Sequence, residues 1–295
     1  MRVFVTGATG FIGSAVVPEL IGAGHEVVGL ARSDDGAAAL RAAGAKVHRG
    51  GLDDPGDLAR AADAADGVVH LAFRHDFTDF HAAGATDLRV VEAIGAALAG
   101  SGRPFVVTSG SAIAPVGRLA TEEDAAAAGT HRTASEEATL ALAELGVRTS
   151  LVRLAPSVHG RGDHGFVPLL IRIAREKGVA AHIGDGANRW PGVHRFDAAR
   201  LYRLALESAP AGSRLHGTDE EGVPFRDIAG VIGRHLGVPV SSVPAQRAEE
   251  HFGFLGRFAG IDNPTSSALT RELLGWEPRE PGLLADLDEG HYFED

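Results

Sequence analysis

Three glycines near the amino terminus, Gly7, Gly10 and Gly13, stand three residues apart between an apolar run, Val3-Phe4-Val5, and an apolar helical stretch, Phe11–Leu20. That setting suits the binding of a pyrophosphate. Gly7 permits a tight turn after the strand, and Gly10 lets the backbone approach the anion. Gly13 lets the new helix pack closely, with its free N–H groups and positive dipole end facing the ligand. The spacing is GxxGxxG, one residue wider than GxGxxG, and the strand–turn–helix context marks it as a dinucleotide cradle.

A second signal follows the strand read at Glu26–Leu30. It runs into Ala31-Arg32-Ser33, with no acid until Asp34 and Asp35. An acid at the strand end would hold a ribose 2′-hydroxyl, whereas arginine accommodates a 2′-phosphate. Arg32 and Ser33 therefore favour NADP(H), with NAD(H) possible. The run His159-Gly-Arg-Gly-Asp-His164 has two histidines and an aspartate but no clear third-ligand spacing, so no metal is expected. Asp197, at the entry to a helix, reads as an N-cap. Trp190, Phe252 and Phe254 are candidates for an aromatic substrate wall, with ordinary core packing as the rival reading.

The elements that must position these residues alternate. Strands are predicted at Val3–Thr6, Glu26–Leu30, Lys46–His48, Gly67–Ala72, Phe105–Thr108 and Thr149–Leu154. Helices are predicted at Phe11–Ala23, Gly36–Ala43, Asp57–Ala62, Ala82–Ala99 and His131–Leu145. This pattern predicts an α/β fold: a Rossmann-type doubly wound parallel sheet, with the ligand at the carboxyl ends of the strands. Beyond Pro156 the elements shorten: Gly165–Arg175, Asp197–Glu207, Phe225–Leu236, Gln246–Phe258 and Thr265–Leu274. Residues 1–155 read as the dinucleotide-binding core, with about 181–217 returning to it. Residues 156–295 read as a smaller, mostly helical substrate-binding portion.

Composition narrows the class. The 295 residues are 44% hydrophobic and carry a net charge of −11, with no Lys/Arg block. Nucleic acid and anionic membranes are thus unexpected partners. The absence of cysteine excludes thiolate catalysis and Cys-ligated zinc. The first strand begins at residue 2 and no apolar run reaches membrane-span length, so a cytoplasmic protein is expected, as monomer or homodimer.

Several stretches together resemble the extended and atypical short-chain dehydrogenase/reductases, the NAD(P)-dependent epimerase/dehydratase group. They are Val5-Thr-Gly-Ala-Thr-Gly-Phe-Ile-Gly13, Gly67-Val-Val-His-Leu-Ala72, Val107-Thr-Ser-Gly110, Arg153-Leu-Ala-Pro-Ser-Val-His-Gly160, Gly184-Asp-Gly186, Val193-His-Arg-Phe-Asp197 and Leu274-Gly-Trp-Glu-Pro278. The resemblance implies that Gly7, Thr9, Gly10, Phe11 and Ile12 meet the pyrophosphate. It places Arg32 and Ser33 at the adenosine ribose, Leu52 against the adenine, and His70, Leu71 and Ala72 along the cofactor's middle. Leu154, Ala155, Pro156 and Ser157 fall beside the nicotinamide. Thr108, Ser109 and Gly110 fall at the end of the fifth strand, where such proteins keep a catalytic Ser or Thr. His159 takes a pocket-lining slot often held by tyrosine.

One departure is as informative. Such enzymes carry Tyr-x-x-x-Lys on the helix after the fifth strand, and this chain has two tyrosines, Tyr202 and Tyr292, and two lysines, Lys46 and Lys177. None makes that pair. Aligned without a gap, its two slots hold Thr130 and Ala134; shifted by one, His131 and Ser135. Ser109, Thr108 and His131 are the remaining proton-handling candidates. An iminium substrate would need no acid at all. The reading is NADP(H)-dependent hydride transfer to a small carbonyl or imine compound. The alternatives are a sugar-nucleotide epimerase/dehydratase and a non-catalytic NADP-binding redox sensor.

Overall fold

A computed structural model describes residues 1–74, 79–113, 117–130 and 132–294. Among them, seven strands form one wholly parallel sheet: β1 (Arg2–Thr6), β2 (Glu26–Ala31), β3 (Lys46–Arg49), β4 (Gly67–His70), β5 (Pro104–Gly110), β6 (Arg148–Leu154) and β10 (Ser213–Gly217), in the order β10-β6-β5-β4-β1-β2-β3. The order reverses at β1, which puts a crevice beyond the carboxyl ends of β1 and β4.

Both faces of the sheet are covered, which is why its strands are near-continuous apolar runs rather than alternating ones. Val3 and Val5 enter one core with α1 (Gly13–Gly22), α2 (Asp34–Ala42) and α7 (Arg195–Ser208). Phe4 and Val68 point the other way, into a core with α3 (Pro55–Asp63) and α4 (Phe80–Leu98); Leu142, just past α5 (Thr133–Ala141), joins it. The period-two alternation therefore assigns each residue at a strand end to one side of the sheet.

The carboxyl-terminal portion has a third core around α6 (Phe166–Lys177) and α8 (Phe225–Leu236). Besides helices it carries two small sheets. One joins β7 (Ser157–His159), β9 (Arg189–His194) and β11 (Glu220–Pro224), and the other pairs β8 (Ala180–Ile183) with β12 (Val240–Val243). The helix predicted over 246–258 is broken. α9 (Ala248–Phe252) and α10 (Gly256–Ala259) flank a turn where Gly253 takes φ +59°. The last helices are α11 (Ala268–Leu274) and α12 (Leu283–Asp288). Among the described residues no helix is long and apolar enough to cross a membrane.

Candidate active site

The three glycines of the first loop do different jobs. Gly7 has φ +66°, and a Cβ there would stand 2.7 Å from the Ala72 nitrogen and 2.8 Å from the Leu71 carbonyl carbon. The loop thus lies directly on the end of β4. A Cβ on Gly13 would overlap the Gly7 carbonyl oxygen and press on the Ala8 backbone, so α1 grows straight out of the turn. Gly10 differs: its absent Cβ would meet only the Gly7 oxygen, at 3.3 Å. Its outer face is open. Helix α1 has Ile12 at its N-cap with no side-chain cap, and no acceptor among the described residues takes the N–H groups of Phe11 or Ile12. Open glycine, uncapped helix end and free N–H groups fit a dinucleotide pyrophosphate.

At the end of β2, Ser33 is the N-cap of α2, its Oγ accepting from the Gly36 N–H at 3.1 Å. Asp34 is paired with Arg49 (2.9 Å), which also donates to the Ser33 carbonyl. Arg32 is exposed, its stem lying along Gly51, and it makes no bond or ion pair among the described residues. Thr9 stands close to Gly36. Leu52 is buried below them.

His70 is buried between β1, β4 and α4. Its Nδ1 lies 2.7 Å from Thr6 Oγ1 and its Nε2 3.2 Å from Asp87 Oδ1. Thr6 Oγ1 also accepts from the Ala72 N–H. What this segment presents to the crevice is therefore the backbone of Leu71 and Ala72, pinned by a side chain facing inward. Burial pushes the Asp87 carboxyl up, but the His70 hydrogen bond and the charges of His70 and Arg132 outweigh it and hold the carboxyl below its ordinary range.

The end of β5 holds the expected hydroxyls, on opposite faces. Thr108 Oγ1 donates to the His70 carbonyl at 2.7 Å and lies 2.7 Å from the Tyr202 phenol oxygen. Its one proton is used, so the phenol is the donor to it. Ser109, on the α5 side, is 4% exposed and its Oγ has no partner among the described residues. At Gly110 an added Cβ would find only the Leu154 oxygen, at 3.9 Å. Of the slots where Tyr-x-x-x-Lys would fall, Thr130 is hydrogen-bonded to Thr133 (2.6 Å) and Ser135 is buried; His131 lies outside the described residues. Arg132 fills the gap between them. Its Nη1 donates to the Thr108 carbonyl at 2.7 Å, and its Cζ lies 3.7 Å over the Phe73 ring. Below it, Arg153 on β6 is fully buried against Glu136 of α5, at 3.0 and 2.6 Å.

From Leu154, the last residue of β6, Ala155 and Pro156 lead to Ser157, whose buried Oγ has no partner among the described residues. His159 turns away to α12. Its Nδ1 lies 2.9 Å from Asp286 Oδ2, and its ring meets His194 edge-on at 5.4 Å. Tyr292 closes this cluster, its phenol accepting from the Gly160 N–H at 2.9 Å. Trp190 and Phe252 are packed into the third core against Phe225, whereas Phe254 is 41% exposed. Asp197 is a structural tie, as expected, but not the N-cap. His194 caps α7, and the Asp197 carboxylate accepts from the N–H groups of Arg279 (2.8 Å) and Glu280 (3.0 Å).

Arg132, Asp87 and Tyr202 were not among the expected site residues. So too Arg195, which lies over the Phe11 ring and donates to Ser14 Oγ at 3.1 Å. Arg132 falls in neither alignment of the missing catalytic pair, so the sequence carried no signal for it.

A sequence model of the NAD dependent epimerase/dehydratase family matches residues 3–216. The chain is 51% identical, over 99% of its length and 100% of the other, to the uncharacterized protein C2A9.02 of Schizosaccharomyces pombe. It is 30% identical to a 2-alkyl-3-oxoalkanoate reductase of Stenotrophomonas maltophilia, over 81% of this chain and 77% of the other. Among solved structures, a dTDP-glucose 4,6-dehydratase of Streptomyces venezuelae, with NAD bound, matches with a TM-score of 0.79 at 21% identity, covering 99% of this chain and 97% of the other. That last likeness is one of fold.

Proposed function

The chain belongs to the NAD-dependent epimerase/dehydratase family, and from that premise we propose that it is an NADP(H)-dependent reductase of a small carbonyl or imine compound, working without a Tyr-x-x-x-Lys relay. The dinucleotide lies across residues 1–155, with 181–217 returning to that core, and 156–295 mainly shape the substrate side. Gly10, Phe11 and Ile12 hold the pyrophosphate by backbone N–H groups, and Arg32 meets the 2′-phosphate. The nicotinamide supplies the hydride. The protein positions the acceptor and stabilises the charge that develops on its oxygen.

The observation that carries this reading is where the two phenols are. Tyr202 is buried on α7 and donates to Thr108, and Tyr292 is bound to Gly160 at the far end of the chain. Neither lies on α5 to act as a base. Epimerases and dehydratases begin by oxidising a hydroxyl, which needs a strong base; a reductase needs hydrogen-bond donors beside the acceptor oxygen. Ser109, unpartnered among the described residues, is such a donor, and Arg132 adds a positive charge at the same strand end. The S. maltophilia relative is named as a reductase of an oxo compound, which agrees.

The test is NADPH consumption against aldehydes, ketones, cyclic imines and oxo acids, with NADPH-dependent or NAD-dependent conversion of nucleotide sugars as the comparison. Conversion of sugars alone overturns the reading. Tight NADPH binding with no turnover across the panel favours a sensor.

A further inference from the structure

Among the described residues, Arg132 is a cation without an ion-pair partner: its guanidinium has no carboxylate within ion-pair distance. The two acids close enough to influence it, Asp87 and Glu136, are engaged elsewhere: Asp87 with His70 at 3.2 Å, Glu136 with both arms of Arg153. Its support is one neutral carbonyl, Thr108, and the face of Phe73. Burial pulls its pKa below the ordinary arginine range, against the charges of Asp87 and Glu136. A half-buried charge held only by a carbonyl and a ring is better satisfied when an anion completes it.

The geometry fixes which anion suits it. Nη1 is used by Thr108, which leaves the Nε–Nη2 edge with no acceptor among the described residues. That edge presents two parallel N–H groups, the arrangement that matches the two oxygens of a planar carboxylate. A phosphate dianion would favour a second cation, and the buried Arg153 of β6 is spent on Glu136. One residue along from the carbonyl that anchors the guanidinium stands Ser109, whose hydroxyl is buried and has no partner. Two donors unused among the described residues thus belong to the carboxyl end of β5, one on Ser109 and one on the arginine bound to the carbonyl before it.

We propose that Arg132 is a carboxylate-binding residue of the substrate site and that the substrate is an oxo acid, its carboxylate on the Nε–Nη2 edge and its carbonyl oxygen at Ser109. The carbonyl half of this statement rests on the reductase reading; the carboxylate half does not. Arg132 is a specificity-determining residue here, and it is not the proton donor.

The experiment is calorimetric titration of the NADPH-saturated protein with the unreactive pairs butanoate and butanamide, hexanoate and hexanamide, and phenylacetate and phenylacetamide. At least one acid is expected to bind about tenfold or more tighter than its amide, the range of a charge-assisted bond. Arg132→Gln should abolish the preference and leave NADPH affinity within about twofold; Arg132→Lys should retain part of it, because charge survives without the paired edge. Equal affinity for acid and amide in the wild type overturns the proposal, as does no binding by any acid or an unchanged preference in Arg132→Gln. The wild-type comparison stands even where Arg132→Gln does not fold. Acid preference through Arg132 with no NADPH consumption by any oxo compound would overturn the reductase reading alone; reduction of neutral ketones with no acid preference would overturn this proposal alone.

Discussion

Thr108 Oγ1 stands 2.7 Å from the Tyr202 phenol oxygen while giving its own proton to the His70 carbonyl. The bond joins α7 to the sheet and uses up the one phenol that lies near the end of β5. Burial also pushes the Tyr202 pKa far above its ordinary value, despite the Thr108 bond, so the group is a fixed donor and not a base. Tyr202→Phe is expected to cost about 1 kcal/mol of stability, the net worth of one buried hydrogen bond, with NADPH-dependent turnover within about threefold of wild type. Urea denaturation and steady-state kinetics read the two effects. A loss of activity of about 10²-fold or more with a normal Km for NADPH would instead make Tyr202 the missing proton donor.

The cradle separates binding from folding. Gly10→Val is expected to abolish dinucleotide binding while leaving the melting temperature nearly unchanged, because only the Gly7 oxygen lies near the new side chain. Gly13→Ala should lower both, since its Cβ would collide with the Gly7 carbonyl and Ala8. Fluorescence titration with NADPH beside thermal melting distinguishes them. Unchanged affinity in Gly10→Val would remove the pyrophosphate from this loop.

Arg32 is exposed and unpaired among the described residues, whereas Asp34 is occupied by Arg49. Arg32→Asp should weaken NADPH binding by about 1–3 kcal/mol, through the loss of a charge-assisted contact and the gain of a like charge. NADH should lose much less. Equal losses for both, or a wild-type preference for NADH, would assign the ribose to an acid of α2.

The loop and sheet were legible because their signals are local. A glycine forced to φ +66° and a glycine under a helix are consequences of spacing within one turn, and apolar strand runs report burial on both faces. The ends of β1 to β6 agree with expectation to within about two residues, whereas β10 (Ser213–Gly217), the edge strand of the large sheet, was not read as a strand. The two small sheets were not legible. β7, β8 and β12 have three or four residues, and β9 contains Pro191 and Gly192, so neither alternation nor a long β-branched run marks them. The Gln246–Phe258 stretch has helical composition, but Gly256 packs against the backbone of Ala248 and Glu249, which is possible only if the chain turns at Gly253. Arg132 was hidden for another reason: its meaning lies in contacts with residues 73 and 108, which no spacing reports.

Asp163 gives a pH-dependent test. Burial raises its pKa from 3.8 to about 6, against the Gly165 N–H bond that lowers it. A carboxyl raised in the folded state binds more protons there than in the unfolded chain between those values, so its contribution falls as pH rises from about 4 to 6 and stays unfavourable above. Asp163→Asn retains the acceptor for Gly165 and removes the charge. It should stabilise the protein by about 1–3 kcal/mol at pH 7 and by little at pH 4. Urea unfolding at the two pH values checks this, and a destabilised variant at pH 7 would mean that the carboxylate is held charged by its histidine neighbours.

The last prediction concerns which acceptors are reduced. Without Tyr-x-x-x-Lys, a cyclic iminium gains an advantage over a ketone, because hydride quenches its charge and no alkoxide forms. Arg132 works against that advantage: a half-buried guanidinium at the end of β5 repels a cationic imine but not one that carries its own carboxylate. The expected order of kcat/KM is therefore oxo acids first, imino acids next, then neutral ketones, with cationic imines lacking an acid group below them. Ser109→Ala should lower ketone and oxo-acid reduction by about 10–10²-fold, since a donor to the developing oxyanion is lost. It should leave imino acids much less affected, because no oxyanion forms on that path. Cationic imines outrunning oxo acids would show that Arg132 faces away from the reacting centre. Equal losses on both substrate types in Ser109→Ala would make the serine a packing residue rather than a group that touches the acceptor oxygen.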